Sequence, residues 1–164
     1  MIRLYPDPCL RVRAGPLKPG TAEAREACRV LRQAFAQVEG LGLAATQLGL
    51  PHRALLVQVN EEQLLLLNPE ITARSEDMVV DSEGCLSLPG LQAGVARAEA
   101  VQVAALGENG SSLELSLEGL EARVIQHEID HLDGVLFVDH IPAGLRKQLL
   151  TGYRAQPEEA TSRT

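Results

Sequence analysis

His127, Glu128 and His131, in the stretch QHEIDHLDG (Gln126–Gly134), have the types and spacing for one piece of chemistry. On an α-helix, residues four apart lie one turn above each other on the same face, so both imidazoles can grip a single metal ion. Glu128 falls about 100° further round, which sets its carboxylate beside the ion instead of on it. There it can take a proton from a water held at the ion, the division of labour of an HExxH hydrolase. The same letters also occur on solvated helix faces that bind nothing. The pattern therefore needs a third ligand, and a donor for developing negative charge, from elsewhere in the chain.

A catalytic ion of the zinc or iron type keeps three protein ligands and one open position. Cys85 is the best third ligand, because a thiolate is a strong donor and EGCLSLPG (Glu83–Gly90) is a glycine-flanked, non-helical segment that gives it no evident packing role. A buried inert thiol is the alternative. Glu83 and Arg97 could pair and hold the cysteine loop, or form a plain structural salt bridge. Asp130 could orient a ligand histidine; otherwise it is an exposed helix carboxylate. His52, after Pro51 in a turn, and His140, beyond Phe137, lack ligand spacing and are expected at the surface or behind the site. Gln47 is the one long polar group in the small-residue segment GLGLAATQLG (Gly40–Gly49), and it reads equally well as a turn-bridging amide or a site residue. A phosphate loop is excluded there, since no Lys-Ser/Thr follows and no strand precedes.

The elements that must position these groups can be laid out from pattern. Prolines and glycines up to Gly20 make the first twenty residues an extended or turning arm. Apolar positions at helical spacing, with Thr21 as N-cap and Gly40 as stop, predict a helix over Thr21–Glu39, with Cys28 as small core filler. Strands are expected over Ala54–Val59, over Leu64–Leu67 ending at Asn68-Pro69, over Met78–Val80, over Val95–Leu106 and over Leu113–Leu117. Continuous apolar runs in the first three imply cover on both faces. Glu108-Asn109-Gly110 reads as a hairpin turn between the last two. Gly119 then leads into the HExxH helix, whose Leu120, Val124, Ile125, Ile129 and Leu132 form an apolar stripe that Gly134 ends. A short helix, Ala143 to Gly152, follows Pro142.

At 164 residues and 45% apolar content the chain suits one catalytic domain, placed over residues 1–155, with a disordered tail at 156–164. Only Tyr5, Phe35, Phe137 and Tyr153 are aromatic, so no stacking platform for single-stranded nucleic acid is present. A net charge of −7 disfavours binding to DNA or anionic lipid. The three cysteines, Cys9, Cys28 and Cys85, do not form a disulfide framework, which fits a reducing cytoplasm. No signal peptide or membrane span is expected.

Taken together, GLGLAATQ (Gly40–Gln47), EGCLS (Glu83–Ser87) and QHEIDH (Gln126–His131) resemble the three signature motifs of peptide deformylases, in order and at similar separations. The similarity runs from YPDPCLR (Tyr5–Arg11), like the family's N-terminal arm, to GVLFVDH (Gly134–His140). The resemblance implies an α+β fold in which antiparallel sheets pack around a central HExxH helix. It implies one divalent ion on residues matching Cys85, His127 and His131, with Fe(II) favoured over Zn(II), Ni(II) or Co(II). It implies Glu128 as general base, and Gln47 Nε2 with the Leu86 backbone N–H as oxyanion donors. The substrate it implies is the N-formyl group on the initiator methionine of nascent peptides. The peptide would lie as an added strand on Leu41, Gly42 and Gly84, its methionine near Leu120, Val124 and His127.

Two departures stand out. LPGLQAG (Leu88–Gly94) replaces longer polar or basic side chains, so the substrate rim should differ. Pro157-Glu158-Glu159 after a short last helix argues against ribosome docking through a long basic helix, leaving at most a transient contact by a monomer. Two rival readings are an amide hydrolase for another small acyl group, and a binding module whose metal is structural and closed by four ligands.

Overall fold

The computed structural model of the chain describes residues 1–153, so the expected boundary at 155 and the tail at 156–164 lie outside the described residues. In chain order it has α1 (Ala22–Phe35), β1 (Gly42–Ala44), β2 (Ala54–Val59), β3 (Glu62–Arg74), β4 (Met78–Gly84), β5 (Gln92–Ala98), β6 (Ala100–Leu106), β7 (Ser112–Glu118), α2 (Gly119–Leu132) and α3 (Ala143–Gly152). Five strands form an antiparallel sheet in the order β1-β2-β3-β6-β7, and β4 and β5 pair separately as a ribbon. Among the described residues no helix is long and apolar enough to cross a membrane.

β2 and the first half of β3 are covered on both faces, as their apolar runs require. Ala54 and Leu56 of β2 pack with Leu31 and Phe35 of α1, while Leu55 and Val57 pack with Ala122, Ile125 and Ile129 of α2. This follows from the period of two along a strand, which sends alternate side chains to opposite faces. Each fully buried leucine or valine contributes about 1.5–3 kcal/mol, so α2 is held firmly against the sheet. Thr21 caps α1 by accepting the Ala24 N–H at 3.1 Å.

Several boundaries differ from the sequence expectation. α1 stops at Phe35 and not Glu39, because Gln37 and Val38 donate to carbonyls three residues back and tighten the chain out of the helix. β3 continues past Asn68-Pro69 to Arg74 through an irregularity between Leu67 and Glu70. Asn68 adopts φ +50 there, and its amide clasps the N–H and C=O of Leu17 at 2.7 and 2.8 Å. A proline, which cannot donate to a ladder, is tolerated at such a bulge. The run Val95–Leu106 splits at Glu99 into β5 and β6, which belong to different sheets. Met78, Val79 and Val80 are exposed, not covered on both faces, because the ribbon has no helix over its outer side. The segment Gly40–Gly49 holds the short β1 and a 3-10 turn, Ala45–Leu48. β2, β7, α3 and the Glu108–Gly110 turn lie close to where pattern places them.

Candidate metal centre

Three elements meet at the site. α2, locked to the sheet, presents His127, Glu128 and His131; Cys85 follows the last residue of β4; Gln47 sits in the 3-10 turn after β1. One ligand atom each from Cys85, His127 and His131 lies within 4.8 Å of the others, and Cys85 Sγ is 3.3 Å from His131 Nε2. A thiolate and two imidazoles converging at that span suit a single borderline-soft divalent ion, so the residues present fit the group that the motif requires.

One of the two histidines is oriented from behind. His127 Nδ1 lies 3.0 Å from Glu83 Oε2, which leaves Nε2 for the site. The backbone oxygen of His131 accepts the Thr46 hydroxyl at 3.0 Å, tying α2 to the turn that carries Gln47. His131 Nδ1 is buried without a partner among the described residues. Glu83 in turn accepts Arg97 Nε at 2.8 Å and Arg97 Nη2 at 3.0 Å, so the pair expected from sequence is formed and is buried. It also accepts Arg123 Nη1 at 2.8 Å.

The electrostatics follow from burial and these bonds. Burial opposes a charge on Glu83, but hydrogen bonds from His127 and Arg97 outweigh it and hold the carboxyl at about 2. Burial likewise opposes a charge on His127, and hydrogen bonds to Cys85 and Glu83 reverse that, raising it well above the ordinary range. Burial and the neighbouring His127 charge push His131 well below its ordinary range, keeping it a neutral donor. An ion competes with the His127 proton for the same nitrogen, so its binding would release that proton. Burial is also the main reason Glu128 rises to about 7, with the His127 charge pulling the other way. A carboxylate near 7 both accepts and returns a proton easily at neutral pH.

Glu128 is 4% exposed, and its Oε2 has no partner among the described residues. Its carboxylate lies over Gly42, where any Cβ would come within 2.6 Å of Oε1. Gln47 is turned by the Ala44 N–H, which donates to its Oε1 at 2.9 Å. The amide nitrogen therefore faces Ser87 Oγ at 3.2 Å and Cys85 Sγ at 3.7 Å. Gln47 thus bridges its own turn with the oxygen and turns its nitrogen toward Ser87 and Cys85.

A cleft of about 950 Å³ opens over these groups. Leu41, Gly42 and Gln47 line one side, Gly84, Cys85 and Leu86 the other, and Leu120, Val124, His127 and Glu128 the base. Of the groups singled out in the sequence, Gln47, Glu83, Cys85, Leu86, His127 and Glu128 line the cleft, whereas the buried His131 and Arg97 are not among its lining residues. β1 and β4 each have one partner strand, so the cleft runs between two free strand edges.

One expectation fails. Asp130 does not touch a ligand histidine; it pairs with Arg97 and lies 2.7 Å from His140 Nε2. One residue before His131, it sits about 100° away on the helix and faces β5. His140 accordingly stands behind the site, while His52 lies elsewhere, 3.5 Å from Glu23. Sequence reasoning missed Arg123 and gave Ser87 no role. Arg123 carried a signal: it is a charge within an apolar stripe, four residues before His127 and so on the ligand face.

A family model described as Polypeptide deformylase matches residues 1–147. A peptide deformylase of Alkalilimnicola ehrlichii is 41% identical over 152 residues, covering 90% of this chain and 85% of that one. The crystal structure of peptide deformylase from Thermus thermophilus superposes with a TM-score of 0.82 at 44% identity, over 92% of this chain and 90% of that one. A Met-Ala-Ser-bound class I type b peptide deformylase of Acinetobacter baumannii gives a TM-score of 0.80 at 29% identity, over 86% and 97%.

Proposed function

Since the chain belongs to the polypeptide deformylase family, whose reaction removes the N-formyl group from newly made polypeptides, we propose that Cys85, His127 and His131 hold one divalent ion and that Glu128 moves the protons. The observation that carries this assignment is the meeting of three ligand atoms, from Cys85, His127 and His131, beside a cleft that Glu128 and Gln47 line. The donor set accepts Fe(II), Zn(II), Ni(II) or Co(II), and among these the family resemblance favours Fe(II). When bound, the ion supplies Lewis acidity, polarising the formyl carbonyl and making water a nucleophile at neutral pH.

The chain's own groups do the rest. Glu128 takes a proton from the attacking water as the new C–O bond forms at the formyl carbon. Gln47 Nε2 and the Leu86 N–H donate to the carbonyl oxygen as it gains negative charge. Glu128 then returns the proton to the departing nitrogen as the C–N bond breaks, leaving formate and a free amino terminus. Burial serves this exchange, because a carboxyl held near 7 stays close in proton affinity to both partners.

The formylated peptide enters as an extended strand between the two free edges, on the backbone of Leu41, Gly42 and Gly84. Its methionine side chain rests on Leu120 and Val124 beside His127. The Acinetobacter relative, solved with Met-Ala-Ser, supports a peptide that begins at methionine. Glu83 and Arg97 hold the ligand shell from behind. The enzyme works as a cytoplasmic monomer with at most transient ribosome contact. A closed structural site would use a fourth protein donor, whereas the group comprises three among the described residues. Formate release from a formyl-Met peptide by anaerobically prepared, Fe(II)-loaded protein, lost in Glu128→Ala, tests the assignment. No release from the wild type overturns it.

A further inference from the structure

The β4–β5 ribbon that carries Cys85 touches α2 differently from the five-stranded sheet. The sheet meets α2 through Leu55, Val57, Leu66 and Val103, all buried and apolar. In the ribbon, β4 buries only Glu83 and β5 buries only Val95, Arg97 and Ala98. Four side chains of α2 bond to the ribbon: His127 and Asp130 meet the side chains of Glu83 and Arg97, and Arg123 and Gln126 also reach its backbone. Arg123 Nη1 donates to Glu83 Oε1 and to the Val95 carbonyl, both at 2.8 Å, and Nη2 donates to the Val79 carbonyl at 2.7 Å. One guanidinium thus spans both strands. Gln126 exchanges two bonds with Ala98, accepting its N–H at 3.2 Å and donating to its C=O at 2.9 Å. Arg123 and Gln126 are buried, at 8% and 5% exposure.

We propose that Arg123, seconded by Gln126, is a positioning residue that latches the Cys85-bearing ribbon onto the histidine-bearing helix and so sets the geometry of the metal site. The chemistry matches the task. A guanidinium offers five donors in a rigid fork and can hold two strands and a carboxylate in fixed relation, which a point charge such as lysine cannot. Cys85 follows β4 directly, so a tilt of the ribbon moves its sulfur relative to His131 Nε2, 3.3 Å away. Because Arg123 also braces Glu83, which orients His127, the same residue acts on two of the three ligands.

This inference rests on the metal-site reading above, and its test separates the two. The full chain and its Arg123→Met, Arg123→Lys and Gln126→Met variants are loaded with Co(II). Three quantities are read: the thiolate-to-Co(II) charge-transfer band, Co(II) loss to a chelator, and amide hydrogen exchange in β4–β5 against β2–β3. For Arg123→Met the expected result is a loss of metal affinity of about 10- to 100-fold and a weakened thiolate band. Ribbon amides should exchange faster while β2–β3 stays protected, with partial recovery in Arg123→Lys. Wild-type affinity with unchanged ribbon protection, or exchange raised evenly across the chain, would overturn the latch. If Arg123→Met does not fold, Gln126→Met decides by the same two outcomes. A wild type that shows no thiolate band sinks the metal-site reading alone, since the exchange pattern still decides the latch.

Discussion

Adding one methyl group at Gly42 should disable catalysis while sparing the metal ligands. A Cβ on Gly42 would stand 2.6 Å from both Cγ and Oε1 of Glu128 and 2.8 Å from its Cδ, whereas ordinary contact begins near 3.4 Å. The carboxylate must therefore retreat by about 0.8 Å, the difference between 3.4 and 2.6 Å. It has little room to do so in place, being 4% exposed on a helix packed against the sheet. A misplacement of about 1 Å in a reacting group costs on the order of 100-fold in rate, or about 2.7 kcal/mol of transition-state stabilisation. Formate release from a formyl-Met peptide by Gly42→Ala should accordingly lose most of that factor in kcat, with metal content unchanged. Activity within about threefold of wild type would refute the claim that Gly42 exists to seat Glu128. A loss confined to KM would instead assign Gly42 to peptide binding alone.

Other outcomes follow from the same geometry. Glu128→Ala should retain the metal and lose about 10²- to 10⁴-fold in kcat, measured on metal-quantified protein. Cys85→Ser should lower metal affinity sharply at unchanged fold, checked by chelator competition and circular dichroism. Gly134 has φ +75 and would place a Cβ 2.6 Å from the Arg11 carbonyl, so Gly134→Ala should cost about 2 kcal/mol and lower Tm by about 4–8 °C. Asp139 is held below the ordinary carboxylate range, because hydrogen bonds from Arg11 and the Leu136 N–H outweigh the opposing effect of burial. Its folded value is the lower one, so its stabilisation is present above the unfolded value and is lost as pH falls through the folded value. Asp139→Asn should therefore destabilise by on the order of 1 kcal/mol at pH 7, with the difference from wild type shrinking in acid, as urea titrations at several pH values would show.

The site was more legible in the sequence than the sheet that carries it. His127, Glu128 and His131 are local in sequence, so helical geometry alone relates them. Cys85 and Gln47 lie about 40 and about 80 residues before His127 and were reached by their chemistry and by the likeness of three motifs together. What pattern could not supply was the set of contacts made between elements. The break at Glu99 is invisible to periodicity because both halves of Val95–Leu106 are strands, merely in different sheets. Asn68-Pro69 carries the usual signature of a strand end, yet the ladder resumes because the bulge accommodates both residues. Asp130 was misassigned, and Arg123 missed, because each depends on which strand lies opposite its face of α2. That is a property of the tertiary pairing and not of α2 itself.

The division of the ligands between ribbon and helix also bears on the chain as a polymer. An ion bound to Cys85 and His127 ties together two points about 40 residues apart, and the loop so closed contains β5, β6 and β7. In the chain-entropy treatment of cross-links, closing a loop of that size removes about 4 kcal/mol of freedom from the unfolded ensemble, to the extent that the unfolded chain keeps the ion. Beside a total stability of about 5–15 kcal/mol for a typical domain, that is a large share. In a chain whose three cysteines are all free, the ion would thus take the part that a disulfide takes in secreted proteins, as a cross-link that a chelator can remove.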